Sequence, residues 1–507
     1  MKMNNSVKLG DETKVVSRTP KFLLMLAFVE MWERFSYYGM RVLLTLYLIN
    51  FMKMQDSIAY STYAVFGTFS YVGCVLFGYL SDKFLGARNT VTIGALIMLI
   101  GHALMAVSHL DGYANTVFLA LSLICIGTSA FKGNITNILG LCYNQNPGYN
   151  KDAGYTMFYV AVNVGSFFAA LICGHLGQSP DYGWGWGFGL AAVGMLIGLI
   201  FLKSFEYILG NAGEMPEEYR PRKMQILISF FFGILGLSYV FSYVLVYADA
   251  VKQSGILDIL LISIIIGYMI QFFKDVEYRK NSLLMFIIAF FTGAFYVLEM
   301  QLGGLLKVFI DRNVNLTFNL FNWREWSLMS SQIESINPAT VMIFGFILSL
   351  SKMKDNENSF YRFLFGLLCI PLCFLILYMG CVAHVDGLVP FAYVLWAFII
   401  MSVGETFIGP MGQSQVSKLS NPSRRGMSFA FFMFFLGASN SVGGTVAKYF
   451  AVDTTEVANK LFTLNVYKEG FINIIIWNLA LCGVFLLLIP FLRSTYRQIM
   501  SNSSSNV

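Results

Sequence analysis

The sequence predicts an all-α polytopic membrane protein with fourteen spans grouped six, two, six. Three observations predict it. Hydrophobic residues make up 57% of the 507 and charged residues 12%, half of the roughly 25% charged that soluble domains carry. Apolar segments of about 20 residues, the length of a bilayer-crossing helix, recur along the whole chain. Lys and Arg gather in alternate connections, the asymmetry that marks cytoplasmic loops.

Residues 1–20, with Lys2, Lys8, Lys14 and Arg18, read as a cytoplasmic tail. Apolar segments at 22–50, 60–81, 90–109, 114–140, 154–176 and 184–206 form a first bundle over 21–206. Two extra spans, 226–247 and 255–273, lie in a linker over 207–282. Segments at 283–310, 336–352, 360–382, 387–410, 427–450 and 470–493 form a second bundle over 283–493, and the Ser/Asn-rich residues 494–507 read as a disordered tail. Lys83, Arg88, Lys151, Arg220, Arg222, Lys223, Lys274, Arg279, Lys280, Lys352, Lys354, Arg362, Lys418, Arg424, Arg425, Arg493 and Arg497 share a side with the basic N-terminus. The opposite loops hold fewer, among them Lys53, Lys252, Arg312 and Arg324. Both termini are therefore expected in the cytoplasm. The loop over 311–335 is the longest external one, with Trp323 and Trp326 expected at its interface.

Composition also sets aside other classes. The net charge of +6 reports cytoplasmic loops and not a nucleic-acid partner. The eight cysteines, such as Cys74, Cys125 and Cys173, lie mostly in apolar runs without metal-ligand spacing. They read as small buried hydrophobes, not a disulfide framework. The four histidines are scattered. No Gly-rich phosphate loop and no large soluble insertion support an ATP-driven machine or a fused enzyme. The first apolar run is of full length, so no cleavable signal peptide is expected.

Span one is unusual. Glu30, Glu33, Arg34 and Arg41 lie between the apolar runs Phe22–Phe28 and Val42–Ile49. Each charge near mid-bilayer costs about 2.5–3.5 kcal/mol on insertion scales, which a helix tolerates where charges face a polar path or one another. At about 100° per residue these four fall on one stripe with Tyr37 and Tyr38. Glu30 and Arg34, one helical turn apart, can partly neutralise each other. A structural ion pair between helices would explain any single charge. The whole stripe, tyrosines included, reads as the lining of a water-filled path. Span four holds a lone lysine, Lys132, which is either a snorkelling interface residue or a buried ammonium with a partner. Span ten holds a lone acid, Glu405, either a protonated structural residue or a functional one. After span two, Gly78-Tyr-Leu-Ser-Asp82-Lys83-Phe-Leu-Gly86-Ala-Arg88 offers glycines for close helix approach and charges able to bridge to the neighbouring bundle.

These motifs resemble a known family. The Gly78–Arg88 stretch is similar to the loop between spans two and three of the major facilitator superfamily. Glu30, Glu33, Arg34, Phe35, Tyr37, Tyr38 and Gly39 resemble the Glu-x-x-Glu-Arg-Phe-x-Tyr-Tyr-Gly motif of one of its branches, the proton-dependent oligopeptide transporters. Phe158, Tyr159, Asn163 and Gly165 resemble that family's Phe-Tyr-x-x-x-Asn-x-Gly signature in span five. Gly183–Gly189 at the start of span six, and Glu405 with Pro410 in span ten, are also similar to family elements. The six-two-six count, with no large domain between spans nine and ten, resembles bacterial members.

The resemblance implies a fold of two six-helix bundles with two extra helices between them. It also implies proton-coupled import of di- and tripeptides by alternating access across a bacterial inner membrane. No cofactor beyond the proton gradient is implied, and the partners are a small-molecule substrate, protons and membrane lipid, with the chain working as a monomer. It assigns proton coupling to Glu30, Glu33, Arg34, Lys132 and Glu299. It assigns substrate binding to Arg34, Tyr38, Arg41, Tyr71, Lys132, Asn163, Asn337 and Glu405. Lys132 would take the peptide carboxylate or join in proton coupling, and Glu405 with Asn337 would attract the amino terminus. Gly78, Asp82, Arg88 and Pro410 are conformational positions. For Tyr71 an ordinary packing role is the plain alternative.

The chain departs from the pattern in three spans. Lys132 is followed by Gly133 where the family usually has Pro. Span seven reads Leu298-Glu299-Met300-Gln301 where a Glu-Gln pair is common. Glu299 is therefore either the gating and proton-sensing acid or displaced by one position, about 100° around the helix. Phenylalanines around Phe431–Phe435 stand where the family has a tryptophan pocket. The alternative function is accordingly a proton-coupled transporter of a non-peptide metabolite, such as a siderophore, carboxylate or modified amino acid, by import or export. A membrane-embedded enzyme or receptor lacks any supporting Ser/His, His/Asp or metal constellation.

Overall fold

The structure, a computed structural model, describes residues 19–112, 116–320, 324–350, 357–421 and 425–505. The first bundle comprises α1 (Lys21–Leu46), α2 (Asp56–Leu80), α3 (Ala87–Val107), α4 (Val117–Gln145), α5 (Lys151–Gln178) and α6 (Trp184–Phe205). A hairpin follows, made of α7 (Lys223–Val246), the short α8 (Ala248–Gln253) and α9 (Ile256–Phe273). The second bundle comprises α10 (Arg279–Glu299), α11 (Leu305–Asn313), α12 (Ile336–Leu350), α13 (Ser359–Val382), α14 (Phe391–Leu419), α15 (Arg425–Lys448) and α16 (Lys460–Ser505). Among the described residues, twelve helical segments are long and apolar enough to cross a membrane. The other two expected spans fall on α1, whose 26 residues carry the four charges, and on α12, which has 15 residues.

Local chemistry accounts for several boundaries. Asn150 caps α5 by accepting from the Ala153 amide at 3.0 Å. Gly255, at φ 70°, makes the left-handed turn between α8 and α9. Span seven is not one helix. It stops at Glu299, makes a 3-10 turn over Met300–Gly303, and restarts at Leu305. The Gly303-Gly304 pair is the sequence signal for that break.

The 311–335 connection contains an antiparallel pair, Thr317–Leu320 with Arg324–Ser327, in which Phe318 faces Trp326 in register. Trp323 lies outside the described residues, as do Lys2, Lys8, Lys14, Arg18, Lys352, Lys354 and Arg424. At the other end of the chain, α16 continues to Ser505, through a segment expected to be disordered. Glu357 anchors it, ion-pairing with Arg497 and lying 3.6 Å from Arg493. Hydrogen bonding to Arg497 holds the Glu357 carboxyl below its ordinary range. All eight cysteines are free, and every one but Cys74 is buried.

The two bundles meet chiefly at the face remote from both chain termini, the far face. Arg312 grips Asp56 with both guanidinium nitrogens at 2.6 and 2.7 Å, and Asp56 also accepts from the Val452 amide at 3.1 Å. Thr45 donates to the Gly303 carbonyl at 2.7 Å. The Ser331 amide donates to Gln178 at 2.8 Å, and the Ser331 hydroxyl donates to the Gly174 carbonyl at 2.9 Å. Along the seam between α2 and α15, small residues allow close approach: a Cβ at Gly444 would sit 2.3 Å from that of Ala64, and one at Gly437 2.9 Å from Val72.

The hairpin straddles this seam. Phe241 of α7 packs on Phe69 of α2 with ring centres 4.7 Å apart, and Phe272 of α9 on Phe431 of α15 at 5.5 Å. At the hairpin's far end, Ser61 of α2 donates to Asp249, which lies 2.7 Å from the Lys448 ammonium of α15. Lys252 donates to Ser441 of α15 at 2.7 Å.

Two measurements test this packing. A Cβ at Gly165 would lie 2.2 Å from the Met31 carbonyl oxygen of α1. Gly165→Ala should therefore lower stability by about 1–3 kcal/mol through overpacking, read as a fall in melting temperature in detergent. Arg312→Met leaves Asp56 without its cation and should cost about 3–5 kcal/mol, most of it regained in the double variant with Asp56→Asn. Equal melts for the single and double variants would show that the pair does not act as a unit.

Candidate functional site

The stripe on α1 is the floor of the site. Glu30, Glu33, Arg34 and Arg41 are all buried, Glu33 and Arg34 at 0 and 1% exposure. Such burial inside an apolar helix demands charge balance, because an unpaired buried ion costs several kcal/mol. Arg34 Nε supplies it, 3.0 Å from Glu30 and 2.5 Å from Glu33. The pairing is electrostatic more than directional: neither Glu33 oxygen nor Arg34 Nε has an aligned hydrogen-bond partner among the described residues. The helix forces this arrangement, since residues 30, 33 and 34 share one face within a single turn. Close packing holds it in place, with the Arg34 Cβ against Gly165 of α5.

Lys132, on α4, makes no ion pair among the described residues. Its ammonium sits 3.7 Å from the ring centre of Tyr71 on α2, a cation–π contact. Its charge acts on both Glu30 and Glu33. Glu30, Glu33, Arg34, Lys132 and Tyr71 are thus brought together.

Arg41 lies two turns of α1 further toward the far face. It donates through Nε to the Tyr63 hydroxyl at 2.6 Å and lies over the rings of Tyr38 and Tyr63 at 5.4 and 5.8 Å. A small recess is formed there by Arg41, Tyr63, Tyr71, Met300 and Asn440. Across it, Arg41 Nη2 donates to the Met300 sulfur of span seven at 3.7 Å. Glu299 is buried, and its Oε2 has no hydrogen-bond partner among the described residues. Glu299 remains within electrostatic reach of Glu405 and Arg41.

In the second bundle, Asn337 at the start of α12 donates to Glu405 at 2.8 Å and to Ser402 at 3.1 Å. This brings the two predicted amine-binding residues into one polar pair linking α12 and α14. Pro410 sits inside α14, where it removes one backbone donor from the helix. Asn163 on α5 donates to the Tyr159 carbonyl at 3.0 Å and so turns its amide along its own helix. Phe431 stacks on Phe286 and Phe435 meets it edge-on, so both belong to the packed core.

Two expectations for the loop after span two need correction. Gly78 is not a close-approach position, since a Cβ there would meet nothing within 4 Å. The close approach is at Gly86, φ 74°, where a Cβ would lie 2.5 Å from the backbone of Glu214 and Met215. Arg88 and Asp82 do not bridge to the neighbouring bundle. Arg88 donates to the Gly210 and Ala212 carbonyls, in the segment that follows α6, and Asp82 lies 3.5 Å from Asn137 of α4. The loop folds back because those free carbonyls at the end of α6 attract a guanidinium.

Sequence reading passed over Asn440 and the buried pair of Lys307 with Glu334. Lys307 carried the same signal as Lys132, one lysine in an apolar run. Glu334 lay in a polar connection and carried none.

Comparison with known proteins agrees with this architecture. A family model described as the POT family matches residues 88–464. Dipeptide and tripeptide permease A of Erwinia pyrifoliae is 28% identical over 490 residues, covering 94% of each chain. The protein of the same name from Escherichia coli K12 is 27% identical over 476 residues, covering 93% of each. A solved bacterial homologue of the human drug peptide transporters superposes with a TM-score of 0.80 at 24% identity, covering 94% of this chain and 99% of that one. A peptide transporter in complex with sulfate superposes with a TM-score of 0.77 at 23% identity, covering 95% and 98%. With the family match extending over most of the sequence, the chain belongs to the POT family.

Proposed function

We propose that the protein is a proton-coupled symporter, not an enzyme, that imports di- and tripeptides by alternating access. One observation carries the reading: two buried carboxylates share a single guanidinium beside an ammonium that has no carboxylate of its own. That set is short of one negative charge whenever Glu30 or Glu33 takes up a proton. The carboxylate of an arriving peptide supplies it, to Arg34 and Lys132. Glu405 and Asn337, on the other bundle, take the amino terminus. Tyr38, Tyr71, Asn163 and Arg41 line the path, and Glu299 tunes the field around Glu405. A ligand that bridges the two bundles through its two ends favours their approach, which is how binding drives rocking about a central site. The names of the relatives, dipeptide and tripeptide permeases, support the peptide class.

The Lys/Arg bias of the loops supports a reading with both termini in the cytoplasm, and the bacterial sources of the relatives support an inner-membrane location. The far face is then external, and the outer gate is closed by Asp56–Arg312 and the contacts beside it. A monomer suffices for this cycle, and the proton gradient replaces any cofactor.

Proteoliposomes with an inward proton gradient should accumulate labelled dialanine, and a protonophore should abolish the accumulation. Unrelated dipeptides should compete. Absence of accumulation by a preparation with a normal melt would sink the peptide reading. Glu33→Gln should abolish gradient-driven accumulation while keeping part of the counterflow exchange, and equal loss of both would make Glu33 structural. Glu405→Ala should raise the apparent KM for peptides about tenfold or more, with less effect on analogues whose amine is blocked. An unchanged KM would remove Glu405 from the site.

A further inference from the structure

A second buried ion pair takes no part in the proton or peptide sites. Lys307 of α11 is 1% exposed, and its ammonium lies 3.0 Å from Glu334. Glu334 belongs to the 3-10 turn Ser330–Ser335 that precedes α12. Lys307 also donates to the Ser331 carbonyl at 3.3 Å. One ammonium thus braces the turn at two points, three residues apart.

That turn, with α12 after it, meets α5 of the first bundle. Ser330 and Ser331 bond to Gln178, Ser331 to the Gly174 carbonyl, and Gln332 to the Leu171 carbonyl at 3.3 Å. Arg41 of the first bundle lies within electrostatic reach of both Glu334 and Lys307. Glu334 is therefore the counter-ion of a buried cation in its own bundle.

Stability does not account for such a pair. Well-packed apolar residues of similar volume usually serve a buried site as well or better. A charged brace does something apolar residues cannot: it keeps the turn in one shape while the face beyond it is alternately dry and wet. We propose that Lys307 and Glu334 are positioning residues of the outer gate, which hold the Ser330–Ser335 turn in the shape that docks on α5. This rests on the alternating-access reading above. When the bundles part, Lys307 keeps the turn folded for the next closure. Without the pair the turn loses its brace, and the gate closes less completely.

The test removes both charges at nearly constant volume, with Lys307→Met and Glu334→Gln together, so that no buried ion is orphaned. Spin labels go on Asp181 and Ala383, exposed on the far rims of the two bundles. Cys74, the half-exposed native thiol, is replaced by serine, the other native cysteines being buried. The double variant should melt close to the parent, shift its distance distribution toward longer separations, and lose dipeptide accumulation about fivefold or more. Unchanged distances in a folded double variant overturn the proposal. So does a variant that melts far below the parent, since the pair then serves folding and not the gate. The distances report the gate whatever the cargo is, so a parent protein that carries no peptide would count against the proposed substrate and leave this readout decisive.

Discussion

Everything at the centre of this protein depends on one guanidinium. Arg34 is buried in an apolar helix bundle together with two carboxylates on its own turn. Desolvation disfavours each of these ions separately, and only their mutual field keeps them charged. The balance is delicate by design of spacing: two acids to one base on α1, with one more cation, Lys132, brought from α4. A single proton or a single ligand carboxylate changes the count. The same crowding explains why α5 presents a glycine here, since any side chain at 165 would push Arg34 off its partners.

The second constraint is geometric. A transporter of this kind needs contacts at one end of its bundles that can be made and broken, and those contacts here are polar and few: an Arg–Asp clasp, a threonine on a carbonyl, and serines on a glutamine. Hydrogen bonds to charged groups are each worth about 1.5–3 kcal/mol net, enough to favour a state and small enough to be reversed. The apolar part of the interface is made by small residues along α2 and α15, where backbones come close without interlocking side chains.

Much of this was legible in the sequence, for identifiable reasons. Spans follow from length and hydropathy, which the bilayer dictates. The α1 stripe follows from helical periodicity, and Asn337 with Glu405 came from a family pattern. What escaped has physical causes too. Span seven was read as continuous because its apolar run is unbroken, although Gly303-Gly304 marks the interruption. Glu299 could not be oriented from sequence, since one residue of phase rotates a side chain by about 100°. Arg88 was assigned to the wrong neighbour because a loop's charges do not say which carbonyls are free. Glu334 sat in a polar connection, and nothing local distinguished it from a solvated acid.

The hairpin between the bundles has a consequence for how the molecule can move. Its short joining helix, α8, holds α2 through Asp249 and Ser61 and holds α15 through Lys252 and Ser441. The α2–α15 side is therefore stitched across, while the opposite side relies on the turn before α12. A body stitched along one edge opens as a book does about its spine. The free edge sweeps the wider arc, and the space it creates is a wedge that deepens away from α8. A longer cargo would then be accommodated by the α5 side of the cleft, and the lipid beside α7 and α9 would feel little of the motion.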